Sequence, residues 1–221
     1  MTILAVVGLK REAAIVSGPE VIPVIAGNSG ALRERIEAAL GPHVRGIISI
    51  GIAGALAQEL AAGDVIVAER VVTANEVYEA DSKWTARLAA ALHEARIGAI
   101  LGRAAIADSA SLKAALYESS RVDAVDMESH VAAAVARENA LPFASLRAIS
   151  DRAGHSLPPA ALAAMKPNGG IALGRVVVSV LQRPQQIPAL IRTGRESEKA
   201  FAALLRCVQM LGPGLGCPYL D

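Results

Sequence analysis

Aromatic residues are scarce in this chain: Phe, Tyr and Trp make up 3% of its 221 residues. A pocket that clamps a flat ring between aromatic faces is hard to build from so few, so aliphatic groups should line any ligand site. Cysteine is scarce too, with Cys207 and Cys217 late in the chain and in no metal-like or CxxC spacing. That excludes a disulfide scaffold and points to free thiols in a reducing, cytoplasmic setting. His43, His93, His130 and His155 are scattered and form no HExxH-type cluster, so no metal is expected. Nor is there an excess of one charge. Lys+Arg 22 against Asp+Glu 21 gives +1, without the basic surplus that nucleic-acid binding calls for. No uninterrupted apolar run approaches the ~20 residues of a membrane span. The first apolar run, residues 3–7, precedes Lys10-Arg11 and follows no basic leader, which is the pattern of a strand and not of a secretion signal.

What the chain has in quantity is small and branched aliphatics. Apolar residues reach 53%, and alanine supplies much of that share. Runs at 3–7, 21–26, 46–50, 65–68, 97–101, 122–125 and 143–149 are nearly continuous Val, Ile, Leu and Ala, as strands covered on both faces should be. Helical spacing lies between them. Leu32, Ile36 and Leu40 share one face behind a cap at Asn28-Ser29, and Trp84, Leu88, Ala91 and Leu92 share another. A third helix, carrying Val131, Ala134 and Val135, ends at Asn139-Ala140-Leu141-Pro142. Beyond residue 151, prolines punctuate helical stretches at 171–181 and 187–210. The expected architecture is a three-layer α/β sandwich around a central mixed, mostly parallel sheet. Residues 1–210 form one domain in this reading, and residues 211–221 an irregular, mobile tail.

Two stretches carry carboxylates where apolar strands run out. Ala124-Val125 leads into Asp126-Met127-Glu128-Ser129, and the run from Phe143 leads through Arg147-Ala148-Ile149 into Ser150-Asp151. Strand carboxyl ends are where open α/β sheets hold their ligands. Two carboxylates there can grip a polar small molecule and move a proton on it. Each also has an ordinary explanation. Asp126 and Glu128 could cap the following helix, Asp151 could be a turn residue, and Arg147 could be a buried counter-charge.

Together these motifs resemble the signature of the purine nucleoside phosphorylase and nucleosidase superfamily, in particular its methylthioadenosine/adenosylhomocysteine nucleosidase branch. Further segments agree: the first strand with its acidic turn to Glu12, the glycine-rich Ile48-Ser49-Ile50-Gly51-Ile52-Ala53-Gly54-Ala55-Leu56, and Gly63-Asp64-Val65-Ile66-Val67. The similarity runs in order from residue 3 to about residue 182. It implies a nucleosidase or phosphorylase that cleaves a purine N-glycosidic bond without a cofactor. By resemblance, Asp151 is the general acid near purine N7, oriented by Ser150 and Arg147. Glu128 takes the ribose hydroxyls beside Asp126, Met127 packs on the sugar, backbone groups near Ile106 and Ala107 border the base, and Ile52 and Gly54 are further substrate-binding positions.

The nucleophile stays open at this point. Glu12 could activate water. Alternatively, Asn28, Ser29 and Gly30 before a helix, with Arg33, could hold phosphate as a co-substrate. Ile52 departs from the small polar residue common in nucleosidases. With the low aromatic content, that departure resembles the hopanoid-associated phosphorylases, which release adenine from adenosylhopane. The implied partner is an adenine nucleoside with a bulky apolar 5′ group, including a lipid conjugate, handled by a homo-oligomer. An ordinary methylthioadenosine/adenosylhomocysteine nucleosidase and an inactive nucleoside-binding protein are the alternatives. The amphipathic stretch 187–210 could dock on the core or touch a membrane surface.

Overall fold

Strands form here because the runs are rich in β-branched Val and Ile and are covered on both sides once folded. The computed structural model describes residues 1–26, 31–164, 170 and 172–220. In chain order the elements are β1 (Thr2–Val7), α1 (Lys10–Val16), β2 (Val21–Ile25), α2 (Leu32–Ala39), β3 (Val44–Ala55), β4 (Val65–Val72) and β5 (Val77–Glu79). Then come α3 (Ser82–Ala91), β6 (Arg96–Gly102), α4 (Ala110–Ser120), β7 (Ala124–Asp126), α5 (Ser129–Glu138) and β8 (Phe143–Asp151). The chain ends with α6 (Pro159–Ala164), α7 (Leu173–Gln182), a 3-10 turn at Pro184–Gln186, and α8 (Ile187–Leu211).

The sheet is mixed and mostly parallel, as expected. β1–β2, β1–β3, β3–β8, β4–β6 and β6–β7 pair parallel, while β3–β7, β4–β5 and β4–β8 pair antiparallel. It also closes on itself. β3 pairs with β8, β8 with β4, β4 with β6, β6 with β7, and β7 returns to β3. A ring so narrow has room only for small and slender side chains. Ala53, Ala55, Ile66, Ala68, Ile100, Ala124 and Ile149 supply them, which accounts for part of the alanine content. Outside the ring, α1, α3 and α8 cover one face through Val16, Trp84, Leu88 and Leu204. On the other face α2 and α5 pack through Leu32, Ile36 and residues 132–136, every one of them Ala or Val.

Three expectations change. The strand expected over residues 46–50 continues through Gly51 and Gly54 to Ala55, so the glycine-rich stretch is strand. The cap at Asn28-Ser29 lies outside the described residues, and α2 takes Ala31 as its N-cap without a side-chain hydrogen bond. The tail is irregular but packed. Leu215 and Cys217 are buried, Trp84 Nε1 donates to the Leu215 carbonyl at 3.0 Å, and Tyr219 Oη donates to Asp81 Oδ2 at 2.9 Å. An indole N–H in a core needs an acceptor, and the tail provides it. Among the described residues no helix is long and apolar enough to cross a membrane.

Candidate active site

One edge of β3 changes partner partway along. It pairs with β1 as far as Ser49 and with β7 from Gly54. Between those points no strand among the described residues lies beside the edge, and a buried backbone N–H there still needs an acceptor. Glu12 supplies one. Its Oε1 accepts from the Ile52 amide at 2.8 Å, and its Oε2 accepts from the Leu9 amide at 2.7 Å, closing the first turn of α1. The break in pairing is a switch point of the sheet, where α/β folds place ligands. Space for the carboxylates comes from glycine. A Cβ on Gly51 would lie 2.5 Å from Glu12 Oε1 and 2.8 Å from Arg147 Nη1. One on Gly8 would lie 2.9 Å from Glu128 Oε1 and 3.5 Å from Glu12 Oε2.

Arg147 organises the group. Its side chain is 1% exposed, and its guanidinium binds Asp126 through Nε at 2.7 Å, with Nη2 also on that carboxylate. Nη2 donates to Ser49 Oγ at 2.6 Å and Ser129 Oγ at 3.2 Å, and Glu128 Oε2 stands 3.7 Å away. Ser129 Oγ is hydrogen-bonded to Asp126 Oδ2 and lies 3.2 Å from Ser145 Oγ. Burial works against the guanidinium charge, but Asp126, Glu128 and Glu12 overcome that and raise its pKa. Asp126 is therefore the fixed counter-ion of Arg147, and both of its oxygens are engaged. Glu12 and Glu128 are the other two carboxyls around the guanidinium. Desolvation pushes Glu12 up against the pull of Arg147 and the backbone amides. Desolvation pushes Glu128 to about 8, with Asp126 and Glu12 adding to the rise and Arg147 opposing it. At neutral pH Glu128 is thus mostly a neutral carboxyl, able both to donate and to accept.

Asp151 is redirected by an irregularity in β8. Ala53 pairs with Ile149 but Gly54 pairs with Asp151, so Ser150 is an extra residue. Such a bulge turns the following side chain over, as bulges beside active sites do. Arg147 meets Gly51, whereas Asp151 meets Gly54, whose Cβ would lie 3.2 Å from Asp151 Oδ2. Ser150 Oγ lies 2.6 Å from Asp151 Oδ1 and 3.1 Å from the Ala53 carbonyl. The Oδ2 oxygen binds the Lys113 ammonium. Glu128 and Asp151 therefore bracket the Gly51–Gly54 stretch of β3.

The other expected residues fall as follows. Met127, Ile52, Gly54 and Ile106 are half-buried, and Ala107 packs with Leu101 and Val125, next to Asp126. Arg33 is not at the site. It is exposed and binds Glu138 at 2.6 Å and Glu37 at 3.3 Å. Glu138 ends α5, about 14 Å of helix from the turn that holds Ser129, so no phosphate can bridge the two ends. Asn28, Ser29 and Gly30 lie outside the described residues. Two hollows, of about 500 Å³ beside Pro159, Gly174 and Arg183 and about 430 Å³ beside Tyr78 and Arg137, lie away from the carboxylates. Among the described residues no group of three or more Cys, His, Asp or Glu is placed to hold a metal.

Sequence reading missed Lys113, Ser49, Ser129, Ser145 and the pair Arg103 and His130. Among the described residues, Arg103 Nη1 and His130 Nδ1 are buried without a hydrogen-bond partner at the carboxyl end of β6. Serines inside apolar strand runs, at positions 49 and 145, were the available signal.

A family model described as the phosphorylase superfamily matches residues 10–182. No curated protein matches the chain. Among solved structures, the S-adenosylhomocysteine nucleosidase of Streptococcus pyogenes, in complex with 5-methylthiotubericidin, superposes with TM-score 0.62 at 19% identity, over 93% of this chain and 96% of that one. The Helicobacter pylori 5′-methylthioadenosine/S-adenosylhomocysteine nucleosidase with butyl-thio-DADMe-Immucillin-A gives 0.62 at 17% identity, over 95% and 98%. A futalosine hydrolase mutant from Helicobacter pylori gives 0.56 at 18% identity, over 68% and 90%. At these identities the likeness establishes the fold.

Two outcomes are expected from the carboxylate cluster. Arg147→Met should cost about 3–5 kcal/mol in urea unfolding, because buried carboxylates lose their counter-charge. A loss below about 1 kcal/mol would mean that the cluster is not buried as described. The pH dependence follows from Glu128. Its carboxyl holds a proton up to about 8 when folded but only to its ordinary 4.5 when unfolded. Between those values the unfolded chain binds fewer protons, so stability should fall as pH rises through that window. Glu128→Gln should make that slope shallower, and an unchanged slope would contradict the assignment.

Proposed function

The chain belongs to the phosphorylase superfamily, and from that premise we propose that it hydrolyses the N-glycosidic bond of an adenine nucleoside. Three acidic side chains around a single buried guanidinium carry this reading. Breaking the bond builds positive charge on the ribose and negative charge on the departing base. Preorganised groups that meet those charges as they form supply most of the rate. In this reading Asp151 hands a proton to purine N7 while Glu128 takes the ribose hydroxyls, with Met127 against the sugar. Glu12 turns a water toward the anomeric carbon, and its raised pKa suits a general base. Arg147 and Asp126 hold Glu12 and Glu128 in place and touch no substrate, while Asp151 is held by Ser150 and Lys113 instead of by Arg147.

Hydrolysis is favoured over phosphorolysis because Arg147 is already shared among three acids and Arg33 is committed elsewhere. A phosphate dianion would approach an acidic cluster. One observation favours the other reading: among the described residues the buried Arg103 Nη1 has no partner, and an anion could take it.

For the 5′ group, a bulky apolar substituent such as that of adenosylhopane is the preferred reading. The exposed residues Val177, Val178, Leu181, Ile187 and Ile191 lie on α7 and the first half of α8, among the exposed Arg175, Arg183, Arg192 and Arg195. No Asp or Glu occurs between Asp151 and Glu196. An apolar face among cations fits an anionic lipid surface, and a second copy of the same face would be repelled. The second half of α8 docks on the core instead, through Ala200, Ala203, Leu204, Cys207 and Leu211.

Adenine release should be measured from adenosylhopane, methylthioadenosine and inosine, with and without phosphate. The expected result is adenosylhopane preferred, inosine untouched and no need for phosphate. Strict phosphate dependence would overturn hydrolysis, and a preference for methylthioadenosine would make this an ordinary nucleosidase. Asp151→Asn should lower turnover by about 10²–10⁴-fold. Near-normal turnover would remove Asp151 from the mechanism. Flotation with phosphatidylglycerol vesicles should carry the protein upward, less so at high salt; none floating would dismiss the lipid contact.

A further inference from the structure

Lys113 sits on α4, and its side chain is completely buried. A lysine almost never reaches that state unless its ammonium is fully partnered. Here all three donors are used. Nζ binds Asp151 Oδ2, the Arg152 carbonyl at 2.9 Å and the His155 carbonyl at 3.0 Å. The ammonium therefore ties the turn after β8 to α4, while His155 pairs with Glu196 of α8 at 3.0 Å. Asp151 has Lys113 on one oxygen and Ser150 on the other. The Ser150 hydroxyl has one proton and two neighbours to serve, Asp151 Oδ1 and the Ala53 carbonyl. When it donates to Ala53, a proton on Oδ1 has somewhere to rest.

We propose that Lys113 is a positioning residue for the acid: it fixes the Asp151 carboxyl against Gly54 and primes its Oδ1 to give up a proton. This rests on the reading of Asp151 given above. The cation on Oδ2 stabilises the carboxylate that remains after transfer. In the step itself the Asp151 Oδ1–H bond breaks and the N7–H bond forms, while the electron pair of the glycosidic bond leaves with the base. Lys113 keeps its own protons throughout. Few other ionisable groups are near. Arg152 is exposed, the His155 ring is taken by Glu196, and Tyr117 lies one turn along α4. Among the described residues none of them bonds the Asp151 carboxyl.

The test is the pH profile of kcat for Lys113→Gln and Lys113→Arg. Gln keeps donors but removes the charge, and Arg keeps the charge. Lys113→Gln should lower kcat at least tenfold with KM within about threefold, and should move the alkaline limb upward by at least one pH unit. A neutral donor on Oδ2 no longer stabilises the carboxylate left after transfer. Lys113→Arg should return the limb toward that of the unmodified enzyme. Folded Lys113→Gln enzyme with an unmoved limb would overturn the proposal, because a purely structural lysine changes amplitude and not position. Should both variants fail to fold, the ¹⁵Nζ resonance of the unmodified enzyme decides: it should move across the same pH range as the limb, and a flat response overturns the proposal. Asp151→Asn keeps the two ideas apart. Loss of turnover there with an unmoved limb in Lys113→Gln sinks the lysine alone, and normal turnover sinks the acid.

Discussion

A guanidinium buried among carboxylates constrains the rest of this fold. Arg147 is 1% exposed and shares its charge among Asp126, Glu128 and Glu12, which arrive from β7, from the turn that opens α5, and from α1. Removing ions from water costs several kcal/mol each, and that cost is recovered only where geometry and hydrogen bonds are nearly complete. Ser49 and Ser129 complete the hydrogen bonding, with Ser145 alongside. Every element that contributes a charge must therefore arrive in register, which links the packing of α1 and α5 to the chemistry at the sheet edge. Asp126 is the fully committed partner. In the proposed reading, Glu12 and Glu128 are the carboxyls a ligand engages.

Two departures from regular strand geometry shape the proposed site. At the first, β3 trades β1 for β7 and leaves an amide that Glu12 collects. At the second, the extra residue in β8 turns Asp151 from the side of Arg147 to that of α4. Neither is costly on its own, and both fall where glycine removes a Cβ from the path of a carboxylate. Gly51 and Gly54 serve a purpose different from the phosphate-cradling loops that similar glycine spacing often marks. They make room for side chains of the protein itself.

Much of this was legible in the sequence, and the gaps have physical causes. The buried strands show as unbroken aliphatic runs, and Asp126, Glu128, Arg147 and Asp151 stand out as charges at their ends. β3 was read short because glycine usually ends a strand, and nothing local says that a carboxylate requires it. β5 has three residues at the edge of the sheet, too few for a pattern. α4 escaped because Lys113 interrupts its apolar stripe, on the face that also carries Leu116 and Tyr117. A buried lysine reads as a surface residue until its partners are known. Arg33 failed for the opposite reason: a cation near a helix start suggests an anion site, yet its partners, Glu37 and Glu138, come from its own helix and from the far end of α5.

The sheet-edge carboxylates, the bulge and the buried lysine converge on one stretch of β3, and a ligand that uses them must lie against it. A crystal structure with a non-cleavable adenine nucleoside tests this most directly. The account predicts purine N7 within hydrogen-bonding distance of Asp151 and the ribose hydroxyls on Glu128, with the sugar passing over Gly51–Gly54. A nucleoside bound elsewhere, or Asp151 and Glu128 opening into separate hollows with β3 between them, would contradict it.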